Sequence, residues 1–134
     1  MLANFKIGFN IPVADMTRAK QFYAEKLGLT PVAELATRLV YKCGDSSFAL
    51  VPSEEAGKVS YSLMTWYVDD LMREMAALRS LGVVFEEYES PWLKTVNGVA
   101  NLDGNQLAWF KDSEGNLLAL AHLQASSKGY HWCK

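Results

Sequence analysis

Cysteine, histidine and runs of one charge are what this sequence has least of. Two cysteines, Cys43 and Cys133, are too few for a disulfide framework, which predicts free thiols and a cytoplasmic protein. Two histidines leave little for a soft metal: His122 stands alone, and His131 sits two residues from Cys133, a spacing that fits no zinc motif. Nothing in the sequence brings Cys43 near either histidine, so a Cys–His nucleophile is not indicated. There is no dense Lys/Arg run and the formal charge is -2, which argues against nucleic acid and anionic membrane as partners. The N-terminus lacks the charged-then-apolar layout of a signal peptide, and no apolar run is long enough to span a bilayer. The glycine-containing turns lack phosphate-loop spacing.

What is there is an ordinary globular composition, half apolar and 21% charged over 134 residues. That length suits one domain, or two half-domains sharing a core. Phe5, Ile7, Phe9, Ile11 and Val13 alternate with Lys6, Gly8, Asn10 and Pro12, predicting a strand over 5–13 with one buried face. Asp15 can cap a helix carrying Ala19, Phe22, Tyr23 and Leu27 at helical spacing, and Gly28 is placed to stop it. Strands are predicted over 30–35, 38–43 and 48–52, followed by a polar linker over 53–58. A second alternating strand over 59–68 leads to a helix over 70–81, with Leu71, Met75, Leu78 and Leu81 on its apolar face and Gly82 at its end. Strands follow over 83–88, 107–111 and 117–122, with a loop over 89–97 and turns at Asp103-Gly104-Asn105 and Asp112 to Asn116. The tail over 124–134 takes no element.

The chain repeats itself. Val13-Ala14-Asp15 recurs as Val68-Asp69-Asp70, and Leu27-Gly28-Leu29 as Leu81-Gly82-Val83; Phe48-Ala49-Leu50 and Leu118-Ala119-Leu120 close the two halves alike. The fold expected is α+β: two βαβββ modules forming a curved mixed sheet around a cleft, with the helices on the outer face. Module one covers about 4–52 and module two about 59–123 of a single domain, 1–134.

This order, with Ile11-Pro12-Val13-Ala14-Asp15, Phe22-Tyr23, Leu27-Gly28-Leu29 and the run Phe110-Lys111-Asp112-Ser113-Glu114-Gly115-Asn116-Leu117-Leu118, resembles the vicinal oxygen chelate superfamily. That group holds glyoxalase I, the bleomycin-resistance proteins and the extradiol dioxygenases. The resemblance implies a metal at the bottom of the cleft, held by His or Glu at four positions, which here read Gly8, Leu63, Ala49 and Ala119. None offers a side-chain lone pair. The family's metal site is therefore expected to be missing, with no cofactor in its place.

If Gly8 faces the cleft, so do Asn10 and Pro12, and in the second half Tyr61, Leu63, Thr65 and Tyr67, with Leu117, Ala119 and Ala121. Such a floor, mostly apolar with a few hydrogen-bonding groups, suits a small organic ligand. Trp92, Trp109, Tyr88 and Tyr41 stand close to where the mouth is expected, where a ring could stack on a planar molecule; on a strand each is more often core, and only Trp92, in its loop beside Pro91 and Lys94, is expected to be exposed. Lys94 and Arg38 could meet an anionic group, and Glu86, Glu87 and Glu89 form an acidic cluster. The expected function is a metal-free small-molecule-binding protein whose ligand-binding residues are Asn10, Thr65, Tyr67, Trp92 and Trp109. The alternatives are a glyoxalase- or dioxygenase-like enzyme with a non-standard metal site, and a metal-independent isomerase or lyase. A homodimer is expected from the resemblance and from open sheet edges.

Overall fold

The structure is a computed structural model that describes residues 1–124. After a 3₁₀ turn at Leu2–Asn4, the first half runs β1 (Gly8–Val13), α1 (Met16–Leu27), β2 (Ala33–Leu35), β3 (Arg38–Cys43) and β4 (Ser46–Pro52). The second runs β5 (Met64–Tyr67), α2 (Leu71–Ser80), β6 (Ala100–Leu102), β7 (Asn105–Lys111) and β8 (Leu117–His122). Each half builds one four-stranded mixed sheet, in the orders β1-β4-β3-β2 and β5-β8-β7-β6. In each, the first strand pairs parallel with the last, which obliges the chain to cross over through a helix. The two βαβββ modules are thus an α+β fold, with β1 and β2 as the edge strands of one sheet and β5 and β6 of the other.

Both helices begin on the signal read from sequence. The Asp15 carboxylate accepts from the Arg18 backbone N–H at 3.0 Å, and Asp70 does the same for Arg73 at 3.1 Å. Gly28 ends α1 in the left-handed conformation at φ +70°, where a side chain would be strained.

Register assigns the faces. Phe9, Phe48 and Tyr41 lie side by side, as do Ile11, Leu50 and Leu39, and α1 packs Ala19 and Tyr23 over this face. In the second half Trp66, Leu118, Leu120 and Phe110 share the equivalent face with Leu71 and Met75 of α2. The two faces merge into one hydrophobic cluster. A polar clasp fastens the halves together. The Glu114 carboxylate accepts from the N–H groups of Ala14 and Asp15, and from the Arg18 guanidinium at 2.8 and 3.0 Å. Tyr23 donates its hydroxyl to Asp112 at 2.7 Å, and Asn116 donates to the Pro12 carbonyl at 2.7 Å. Tyr23, Asp112, Glu114 and Asn116 are buried, so each of their bonds also avoids the cost of an unpaired polar atom.

Three expectations change. The strand predicted over 5–13 begins only at Gly8, and Phe5, Ile7 and Phe9 are 70%, 72% and 52% exposed. Its partner β4 starts at Ser46, so the residues before Gly8 have no strand to pair with. The strand predicted over 59–68 is shortened to Met64–Tyr67 for the same reason, since β8 starts at Leu117. The segment 83–88 makes a single bridge, Phe85 to Phe110, because β6 at Ala100–Leu102, which has no clear signal in the sequence, takes the rest of that edge of β7. The tail with His131 and Cys133 lies outside the described residues.

Candidate functional site

The faces turned away from the helices carry matching rows. In the first module Asn10, Ala49 and Val40 are neighbours across β1, β4 and β3. In the second, Thr65, Ala119 and Trp109 occupy the same places across β5, β8 and β7. Tyr67, Ala121 and Leu107 form the next row. Alanine at 119 and 121 leaves a low floor between the Thr65 and Tyr67 side chains on one side and the Trp109 indole on the other.

Above that floor Tyr88 meets Trp109 edge to face, with ring centroids 5.6 Å apart and planes at 84°. Glu86 is held beside Trp109 by its backbone N–H, which donates to the Trp109 carbonyl at 2.8 Å. Burial raises the Tyr88 phenol above its ordinary pKa, with the Glu86 charge adding to the effect, so it stays a hydrogen-bond donor at neutral pH.

A cavity of about 700 Å³ opens between the modules. Thr65 and Tyr67 line it together with Phe9, Ser46, Ser47 and Leu63. The structure therefore brings three of the five sequence-derived candidates, Thr65, Tyr67 and Trp109, onto one face, two of them also on this cavity. Asn10 belongs to the other sheet, where it is exposed, and Trp92 stands 80% exposed in a turn closed by the Ser90 and Leu93 backbone. Tyr41 is not at a mouth. It is fully buried on the helix-facing side, stacked on Phe48 at 5.0 Å, because odd positions of β3 face the core.

The acidic cluster is dispersed rather than paired. Glu86 faces Lys111 at 3.9 Å and Glu89 faces Lys94 at 3.6 Å. Glu87 accepts from the Thr95 hydroxyl and the Gly98 N–H, and these bonds hold its pKa below the ordinary value. Lys94 is thus engaged at the surface, and Arg38 is exposed at the start of β3.

The four positions that the resemblance implied for a metal do not fit one. Gly8, Ala49, Leu63 and Ala119 present hydrogen or hydrocarbon, and among the described residues no group of three or more His, Cys, Asp or Glu is placed to share a metal. No described helix is long and apolar enough to cross a membrane.

Comparison with known proteins agrees with this fold. A family model described as bleomycin resistance protein-like N-terminal matches residues 7–33, the strand and helix that open module one. A bleomycin-binding protein in complex with bleomycin superposes with a TM-score of 0.67 at 22% identity, over 90% of this chain and 99% of that one. The chain carries the fold of the vicinal oxygen chelate superfamily. TnmS3, an antibiotic-binding protein from Streptomyces sp. CB03234, gives 0.64 at 23% identity over 92% and 99% of the two chains. Lactoylglutathione lyase from Agrobacterium tumefaciens gives 0.66 at 17% identity over 88% and 92%. So the vicinal oxygen chelate fold spans binding proteins and an enzyme among these neighbours, and fold alone does not choose between them. No curated protein matches the sequence.

Proposed function

We propose that this protein binds a small planar organic molecule without a metal, on the face formed by Thr65, Tyr67, Ala119 and Trp109. The observation that carries the reading is the Thr65–Ala119–Trp109 row. A methyl group stands where a metalloenzyme needs a donor, and it leaves a flat apolar floor between a hydroxyl and an indole. A ligand stacked on the indole would gain dispersion and quadrupole attraction, while Thr65, Tyr67 and Tyr88 supply hydrogen bonds. Asn10 contributes the equivalent polar group from module one, and Trp92 shields the edge of the ligand. A sequestering role is in keeping with the antibiotic-binding neighbours that share this fold. The protein works in the cytoplasm as a homodimer, a reading supported by the open β1 edge and its exposed Phe5, Ile7 and Phe9.

Titration with bleomycin, followed by tryptophan fluorescence and calorimetry, tests this. The expected result is saturable binding that is unchanged by Ni²⁺ or Zn²⁺ and weakened about tenfold or more in Trp109→Ala. Isomerisation of a glutathione hemithioacetal on addition of metal would overturn the reading in favour of an enzyme. Sedimentation of the free protein at micromolar concentration checks the dimer.

A further inference from the structure

A second cavity, about 640 Å³, lies where the C-terminal ends of α1 and α2 converge and adjoins the first at Cys43, Gly44 and Trp66. Leu27 and Leu29 line it from the first module, with Leu78 of α2 and Trp66, Phe110 and Leu120 of the second sheet. Close-packed cores leave few voids larger than a water molecule, and apolar voids stay dry. Here Leu27, Leu29, Trp66 and Leu78 are only partly buried although they pack against the main cluster. This volume lies in the range that holds a small-molecule ligand.

Three charged residues reach its rim. Lys26 donates its ammonium to the Leu81 carbonyl at 2.5 Å, tying the two helix ends together, Glu74 faces Arg73 at 3.3 Å, and Lys42 is exposed. The rest of the wall is apolar, with Leu27, Leu29, Val68, Leu78, Phe110 and Leu120. One polar group is under-used. The Trp66 indole N–H points at the Cys43 sulfur at 3.5 Å, and a thiol sulfur is a weak acceptor.

We propose that this cavity is a second ligand site, for a neutral, mostly apolar molecule carrying one oxygen acceptor, such as an aryl ketone, whose oxygen takes the Trp66 N–H. Trp66 stacks on Phe110 at 6.4 Å and 21°, so a flat ring matches the wall it forms. The cavity adjoins the first one at Cys43, Gly44 and Trp66 but contains none of Thr65, Ala119 and Trp109, so the Trp109→Ala variant distinguishes the two sites.

The ketone dye 6-propionyl-2-dimethylaminonaphthalene, whose emission moves to the blue in apolar surroundings, tests the proposal. The expected result is saturable one-to-one binding with a blue shift. Ala77→Phe, which projects a ring from α2 into the cavity, should weaken it tenfold or more, and Trp109→Ala should leave it unchanged. Trp66→Phe should weaken the dye about fivefold, the worth of one hydrogen bond, yet leave 2-ethylnaphthalene, which lacks the oxygen, unaffected. In protein carrying Cys133→Ser, bound dye should slow alkylation of Cys43, a readout that does not need the Ala77 variant to fold. Absence of saturable binding, loss of binding in Trp109→Ala alone, or unprotected Cys43 would each overturn the assignment.

Discussion

Arg18 and Glu114 are 96 residues apart in the chain and 2.8 Å apart in the fold. The arginine is 55% exposed and the glutamate side chain fully buried, so the pair closes the clasp from its solvent side. Burial alone would raise the Glu114 pKa. The hydrogen bonds from Arg18, Ser113 and the Asp15 backbone outweigh it and bring the pKa to about 2.

A carboxylate with a depressed folded-state pKa stabilises the fold above its unfolded value and loses that contribution as pH falls toward about 2. Glu114→Gln should therefore cost about 2 kcal/mol at pH 7 and show a shallower loss of stability between pH 5 and 2. Asp112 has the opposite sign. Its burial raises the pKa despite bonds from Tyr23 and Asn116, so its charged form weighs against the fold as pH rises through that value. Urea denaturation at a series of pH values would separate the two, and an acid limb in Glu114→Gln as steep as the wild type would contradict the assignment.

Tyr23→Phe removes the donor that Asp112 receives from α1 while keeping the ring packed among Tyr41, Phe48 and Phe22. The expected cost is about 1–2 kcal/mol, since Asp112 keeps its bonds from Asn116. Thermal unfolding measures it. A neutral effect would mean the hydroxyl bond adds nothing to the clasp.

Gly57 sits at φ +76°, and a Cβ there would lie 2.8 Å from the Glu114 carbonyl oxygen. Its N–H also donates to Asn116. Gly57→Ala combines a strained dihedral with a backbone clash and should cost about 2–3 kcal/mol. Gly44→Ala has a similar φ but open space around its Cβ, and should cost about 1 kcal/mol. Comparing the two melting curves isolates the clash.

Addition of Ni²⁺, Zn²⁺, Mn²⁺ or Fe²⁺ should not raise the melting temperature. A stoichiometric ion present at one hundred times its dissociation constant would stabilise by about 2.7 kcal/mol, a shift that is readily resolved. Such a shift would revive the metalloenzyme alternative.

At the face proposed above, Trp92→Ala and Asn10→Ala should each weaken ligand binding less than Trp109→Ala does, about threefold or below. Trp92 stands in an exposed turn and Asn10 on the other sheet, so the proposal puts both at the ligand's margin. Calorimetry on the three variants ranks them, and a larger loss at Trp92 would move the centre of the site to its turn.

Local signals were legible without a structure. Asp15 and Asp70 act through hydrogen bonds three residues away, and Gly28 through its own φ, so both helix starts and the end of α1 could be read from their neighbours. The repeat of those signals was enough for two βαβββ modules, and alternation was enough to place Asn10, Thr65 and Tyr67 on the faces away from the helices. Which residues lie within a few ångströms across modules was not legible. Glu114 reads as one polar residue of a turn, yet it binds Ala14, Asp15 and Arg18 roughly a hundred positions away. Tyr41 reads from sequence as core more readily than rim, and the pairing of β3 with β4 decides for the core. Phe5, Ile7 and Phe9 read as a buried strand face, but their exposure depends on where β4 begins. The Trp66–Cys43 contact has no local signal, because it arises where two separately folded sheets meet. Capping and periodicity act over a few residues and belong to the sequence; burial, pairing and cavities are properties of surfaces brought together by the whole chain, and only the tertiary structure decides them.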